Sequence, residues 1–246
     1  MISYILLCVL CILIQIIFLI VEKKGMIKLS LVFKGLASLM FIILGFLCLH
    51  DGQNRSFGLF IITGLILDGI GDVVINFRFA FEKHKHLYFL MGTGFFFLGH
   101  IFYFIALIKY AQKLTLCLVC GAIAAYIVLF IMYQSLHDLK IIYKAFGLVY
   151  ITMLFLMTSI AVGNMITALL VYGADTTIIS STGNLISTVS RSAPCLYGCG
   201  AILFACSDIL LIYNNFGQKK RYTTRVLNLV LYYLGQLLFA MSLAFI

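Results

Sequence analysis

The chain has 246 residues, 64% of them apolar and 10% charged, with one proline and a net charge of +9; its mean hydropathy is +1.16. Soluble domains are about 45–50% apolar and about 25% charged, so a water-soluble fold is excluded. The positive charge does not point to nucleic acid, because Lys and Arg stand in short clusters between apolar runs and not on one continuous face.

A spanning helix needs roughly 20 mostly apolar residues. Eight runs meet that standard, which predicts an all-α polytopic membrane protein, a bundle of about eight transmembrane helices in a single integral membrane domain over 1–246. The first, 2–21, has no basic segment before it and no small-residue cleavage site, so it reads as a span and not a signal peptide. The second, 32–49, begins beside Lys34, and the third, 57–77, carries Asp68, Asp72 and Asn76. The fourth, 87–108, carries His100; the fifth, 114–134, is almost wholly apolar; the sixth, 146–171, holds Tyr150 and Ser159. Residues 172–194, rich in Thr, Ser, Asn and Gly and containing Pro194 at their end, read as a solvated loop. The seventh span, 195–215, carries Asp208, and the eighth, 226–246, carries Tyr232, Tyr233 and Gln236.

Basic residues tend to stay cytoplasmic. One side collects Lys23, Lys24, Lys28, Lys34, Arg78, Lys83, Lys85, Lys140, Lys144, Lys219, Lys220, Arg221 and Arg225; the other has Arg55, Lys109, Lys113 and Arg191. Both termini are therefore expected to be extracytoplasmic, with every basic residue in a loop or at a span end.

Cys8, Cys11, Cys48, Cys117, Cys120 and Cys206 lie in apolar runs, where cysteine behaves as a small hydrophobe. His84 and His86 are flanked by lysines that repel a cation, and only one histidine lies in a span, so no metal site is expected. Small residues, Gly64, Gly69 and Gly71 in the third span, Gly92, Gly94 and Gly99 in the fourth, and Gly198 and Gly200 in the seventh, suit close helix approach.

An Asp at a helix centre costs about 2.5–3.5 kcal/mol in membrane insertion and is a functional candidate by default. Asp68, Asp72 and Asn76 share one helical face at i, i+4 spacing. Asp72 and Asp208 fall ~8–10 Å from the inner ends of their spans at the helical rise, at similar depth, with Asp68 one turn deeper. They are the candidate catalytic pair. His100, Asp68 and Asn76 are candidate supporting or proton-relay groups. Lys34, Tyr150, Tyr232, Tyr233 and Gln236, with Ser159, would face one cytoplasm-directed cavity, and all but Ser159 are candidate substrate-binding residues.

Gly71-Asp72, then Gly99-His100-Ile101-Phe102-Tyr103, then Gly200-Ala201-Ile202-Leu203-Phe204 leading into Ser207-Asp208 and Asn214, then Tyr232-Tyr233 with Gln236, resembles the YhhN-like lysoplasmalogenase family of multi-span membrane proteins. The resemblance runs from about Lys34 to the C-terminus. Asp68 departs from the small hydroxyl residue common at that place, Gly35 from a proline, and Asn215 from a basic residue. The resemblance implies hydrolysis of the vinyl-ether bond of lysoplasmalogen to a fatty aldehyde and a glycerophospho-alcohol. That reaction needs a proton donor, a group that stabilises an oxocarbenium ion and a positioned water. Paired carboxylates in different protonation states supply these in glycosidases. No metal or organic cofactor is expected; the partners would be a lysophospholipid substrate and membrane lipid, with Lys34 meeting the substrate phosphate. The competing readings are a proton-coupled transporter using the same carboxylates and a metal-dependent lipid amidase.

Overall fold

The computed structural model describes residues 2–136, 140–171, 175–179, 185–217 and 221–246. Eight helices follow in chain order: α1 (Ile2–Lys23), α2 (Ile27–Asp51), α3 (Arg55–Ala80), α4 (Lys85–Ile108), α5 (Leu114–Ser135), α6 (Ile141–Val171), α7 (Ser192–Phe216) and α8 (Tyr222–Ser242). All are long and apolar enough to cross a bilayer. A helix suits hydrocarbon because it satisfies its backbone N–H and C=O groups within its own segment. Large apolar side chains such as Leu6, Ile123, Phe130 and Leu148 stand exposed on the outside of the bundle, where lipid tails would meet them.

The helices extend beyond the apolar runs at several ends. Helix α2 starts at Ile27 and α6 at Ile141, because Lys28 and Lys144 are good helix formers whose long stems can reach back to the interface. Lys34, expected at the inner end of the second span, therefore lies about two turns into α2, and Arg78, expected just outside the third span, lies within α3, which continues to Ala80. The turn between α1 and α2 passes through Gly25 at φ 73°, a left-handed conformation that glycine adopts without steric cost. Asn54 caps α3 by accepting a hydrogen bond from Phe57 N at 3.0 Å, satisfying one of the free N–H groups of the first turn.

The connection from α6 to α7 corrects the expected irregular loop. It contains an antiparallel pair, β1 (Asp175–Ile179) and β2 (Leu185–Ser190), with Asp175 opposite Ser190 and an irregularity between Ile178 and Ile179. The run Thr176-Thr177-Ile178-Ile179 in β1 is wholly β-branched, a composition that favours strands, a signal masked by the loop-like composition around it. Of that composition, Ser180, Ser181, Thr182, Gly183 and Asn184 lie outside the described residues, as do Lys219 and Lys220. Pro194 is not in a loop but in the first turn of α7, where its missing N–H would have no helical partner anyway.

Helices α2, α3, α4, α6, α7 and α8 pack in a closed ring, each on the next, with α8 returning to α2; α1 lies outside against α2, and α5 outside against α6. Glycines set the tightest approaches. A Cβ on Gly92 of α4 would lie 2.8 Å from Ile75 N and 2.9 Å from its Cα on α3, and a Cβ on either Gly200 of α7 or Gly235 of α8 would lie 3.0 Å from the other's carbonyl oxygen. Gly94 contributes nothing of the kind, since a Cβ there would meet no atom within 4 Å.

Candidate active site

Inside the ring the polar side chains gather in three carboxylate-centred groups. Asp72 of α3 is held from α2: Lys34 Nζ lies 3.0 Å from its Oδ1, and Ser38 Oγ donates to its Oδ2 at 2.7 Å. Lys34 and Ser38 are four residues apart and so project from one face of α2. The Tyr233 hydroxyl from α8 lies 3.2 Å from Ser38 Oγ and donates to Lys34 O at 3.4 Å.

Asp208 of α7 is engaged from α4 and α6. The Tyr150 hydroxyl donates to Asp208 Oδ2 at 2.5 Å, and His100 Nε2 lies 3.3 Å from the same oxygen. The imidazole is oriented edge-on to Phe204, ring centroids 4.9 Å apart. If Asp208 is ionised, His100 must carry its proton on Nε2 to make this contact favourable.

Asp68 sits one turn from Asp72 in a different environment. Tyr103 O–H and Gln236 Nε2 each lie 2.7 Å from its Oδ2. The Tyr103 hydroxyl is also 3.1 Å from Gln236 Oε1 and can donate to only one acceptor at a time. Asp68 Oδ1 is buried without a hydrogen-bond partner, and no cation lies within ion-pairing distance of Asp68 among the described residues.

Asp72 and Asp208 line one small cavity, together with Lys34, Asn76, Ser207, Asn228 and Tyr232. Its volume of about 20 Å³ is room for one water, and its walls are polar enough to hold one. Asn76 is 1% exposed, and both its amide nitrogen and its oxygen lack partners. A buried amide left so is costly, and a polar guest in the cavity would relieve it. Asn228 is spent differently, donating to Ser207 O at 2.6 Å and to Ser207 Oγ at 2.8 Å.

Beyond this cavity, toward the end of the bundle that carries most of the basic residues, lies a vestibule of about 1070 Å³. Arg78 and Arg225 border both spaces and form the partition between them.

The expected site residues therefore divide. Asp72, Asp208, Asn76, Lys34 and Tyr232 meet at the inner cavity, and His100 and Tyr150 brace Asp208 from behind. Gln236 belongs with Asp68, and Tyr233 with Ser38, outside that cavity. Lys34, expected to meet a phosphate, has its ammonium committed to Asp72 in the protein interior. Ser159 is not in the cluster at all: its hydroxyl donates to Leu156 O at 2.9 Å and it packs where α6 meets Gly121 of α5. The sequence pointed to no site role for Ser38, Tyr103, Arg78 or Arg225, the two arginines counting there only as topology signals. Polar spacing could have found Ser38, four residues after Lys34, and Tyr103, three after His100.

Fold and site together define an integral membrane protein of eight helices with a walled-in cluster of three aspartates. The chain belongs to the YhhN family, whose defining sequence pattern matches residues 29–243. No curated protein and no solved structure matches it.

Proposed function

We propose that the chain is an intramembrane hydrolase that cleaves the vinyl-ether bond of lysoplasmalogens, with Asp72 and Asp208 as its catalytic carboxylates. The observation that carries this reading is the shared cavity: two carboxylates from different helices, in unlike environments, facing a space the size of one water. Two carboxylates in unlike surroundings can divide the acid and the stabilising roles between them, as glycosidase pairs do. Lys34 and Ser38 engage both oxygens of Asp72, which suits that carboxylate to the stabilising role. Asp208 is contacted through Oδ2 by Tyr150 and His100, so its Oδ1 is the oxygen to carry a proton.

The reaction follows from that division. Asp208 delivers its proton to the β-carbon of the vinyl ether, and the double-bond electrons form the new C–H bond. The resulting oxocarbenium ion is stabilised by the Asp72 carboxylate. Water from the cavity adds to the cationic carbon and passes a proton to a carboxylate, leaving a hemiacetal. The hemiacetal hydroxyl then gives its proton to one carboxylate as the C=O bond forms, the glycerol oxygen takes a proton from the other as its C–O bond breaks, and a fatty aldehyde and the glycerophospho-alcohol result. His100 and Tyr150 hold Asp208 in position, and Asn76 orients the water. A vinyl ether needs more room than one water, so substrate reaches the carboxylates by displacing the partition formed by Arg78 and Arg225.

The test is aldehyde release by purified protein from an alkenyl lysophospholipid. Asp208→Asn keeps the shape and removes proton exchange, and should reduce turnover by roughly 10²–10⁴-fold while the protein still inserts and purifies. Wild-type protein that releases no aldehyde but moves the lipid across vesicle membranes would overturn the hydrolase in favour of a carrier.

A further inference from the structure

Among the described residues, Lys23, Lys85 and Arg78 of the vestibule stand in no ion pair, and of these Arg78 alone also borders the aspartate cavity. It donates to Asn215 Oδ1 at 2.6 Å, a neutral acceptor, and its Nε is buried without any partner. No carboxylate lies within ion-pairing distance of it among the described residues. Its guanidinium carbon lies 4.8 Å from the Phe79 ring centroid and 5.6 Å from that of Phe89, cation–π contacts that leave its hydrogen-bonding capacity unspent. Arg225 lies over Phe79 as well, at 4.9 Å, but is already paired with Glu22, with Nε 2.7 Å from Oε2. A half-buried arginine whose Nε is enclosed and idle gains from an anion, and a fork of this kind matches phosphate oxygens.

A second space joins the vestibule. An apolar groove of about 430 Å³ runs between α4, α5, α6 and α7, and Phe89 and Phe216 line both it and the vestibule. Leu211 in turn lines both the groove and the inner cavity. The groove exists because α5 packs on α6 outside the ring, leaving a cleft toward α4 and α7. Polar vestibule, aspartate cavity and apolar groove thus meet at one place, all at the same end of the bundle.

We propose that Arg78, beside Arg225, binds the phosphodiester of a single-chain lysophospholipid, whose hydrocarbon chain lies in the groove between α4, α5, α6 and α7. The occupant is set by the continuity of the three spaces: an anionic head, one tail, and between them the bond presented to Asp72 and Asp208. One groove joins the vestibule through Phe89 and Phe216, and it accommodates one chain. Drawing the phosphate to Arg78 also moves part of the partition that separates vestibule from cavity. The inference rests on the lipid-hydrolase reading for the bond that is cleaved, but the binding it describes is measured without cleavage.

The experiment uses full-length protein in detergent and a saturated alkyl-ether lysophosphoethanolamine, which has the head and tail but no vinyl ether to hydrolyse. Wild type should bind it about ten- to a hundredfold more tightly than the alkyl glycerol lacking phosphate, the range expected for one charged hydrogen-bonding partner. Arg78→Gln should erase that preference without changing alkyl glycerol affinity, and Arg78→Lys should restore part of it. Gly147→Leu tests the groove, because Gly147 lines it and a Cβ there meets nothing within 4 Å, so the protein should fold normally. It should weaken long-chain ligands and spare short-chain ones. Equal wild-type affinity for the two alkyl lipids would overturn the phosphate site. Displacement of the lipid by millimolar inorganic phosphate would overturn the lipid assignment in favour of a free-anion site. An unchanged chain-length profile in Gly147→Leu would overturn the groove. Failure of the hydrolase reading registers separately, as absence of aldehyde from the alkenyl substrate with these binding differences intact.

Discussion

Lys34 Nζ and Asp72 Oδ1 are 3.0 Å apart, with side chains 5% and 2% exposed, so each charge depends on the other in place of water. Removing one partner of a buried pair leaves an uncompensated charge, a loss of roughly 3–5 kcal/mol, whereas removing both need not. Lys34→Met should therefore lower the melting temperature in detergent, and Lys34→Met with Asp72→Asn should recover most of the loss. A single variant that melts like wild type would show that the pair carries no stability.

The two aspartates of α3 should separate in kinetics. Asp72 faces the water-sized cavity, while Asp68 is enclosed by Tyr103 and Gln236. Asp72→Asn should abolish aldehyde release. Asp68→Ser should leave a measurable rate and shift the pH optimum, because it removes a group that shares the electrostatics of the cluster. pH–rate profiles of both variants decide the point; an inactive Asp68→Ser beside a working Asp72→Asn would reverse the assignment.

How much of this was legible beforehand depends on the range of the interaction. The eight spans follow from apolar runs, which are local, and the aspartates stand out because a charge in such a run is costly wherever it ends up. Which partner each aspartate takes is not local. Ser38 and Asp72 are 34 residues apart and Tyr150 and Asp208 are 58 apart, and only the ring order of the helices brings them together. Arg78 was concealed for another reason: lying at the end of an apolar run, it looks like a topology signal, and its burial depends on α3 continuing to Ala80. The strand pair at 175–190 was concealed by composition, since Thr, Ser and Gly serve loops and hairpins alike.

Close packing of α3 on α4 gives a prediction independent of chemistry. A Cβ on Gly92 would stand within 3 Å of the Ile75 backbone, which no rotamer change can relieve. Gly92→Ala should push the helices apart and destabilise the protein by about 1–3 kcal/mol. Gly94→Ala, with open space at that position, is the matched control and should melt like wild type or slightly higher.

Topology is checked at two exposed turns. Lys24 follows α1 and Gln53 lies between α2 and α3, so they fall at opposite ends of the bundle. The distribution of Lys and Arg predicts that a cysteine replacing Lys24 is labelled from the cytoplasm and one replacing Gln53 from outside, in a background with the accessible native thiols removed. Reversed labelling would place the vestibule in the other leaflet.

The position of α5 outside the ring bears on what happens after turnover. Tyr126, Phe130 and Tyr133 line the groove while standing exposed on the outer surface, so that space opens sideways into lipid, whereas the charged vestibule opens at the end of the bundle. A bond broken where the two spaces meet would release its fragments by different routes, a fatty aldehyde into the bilayer and a water-soluble glycerophospho-alcohol into the adjoining aqueous phase. Neither product would need to cross the medium that rejects it, and the two could depart in either order.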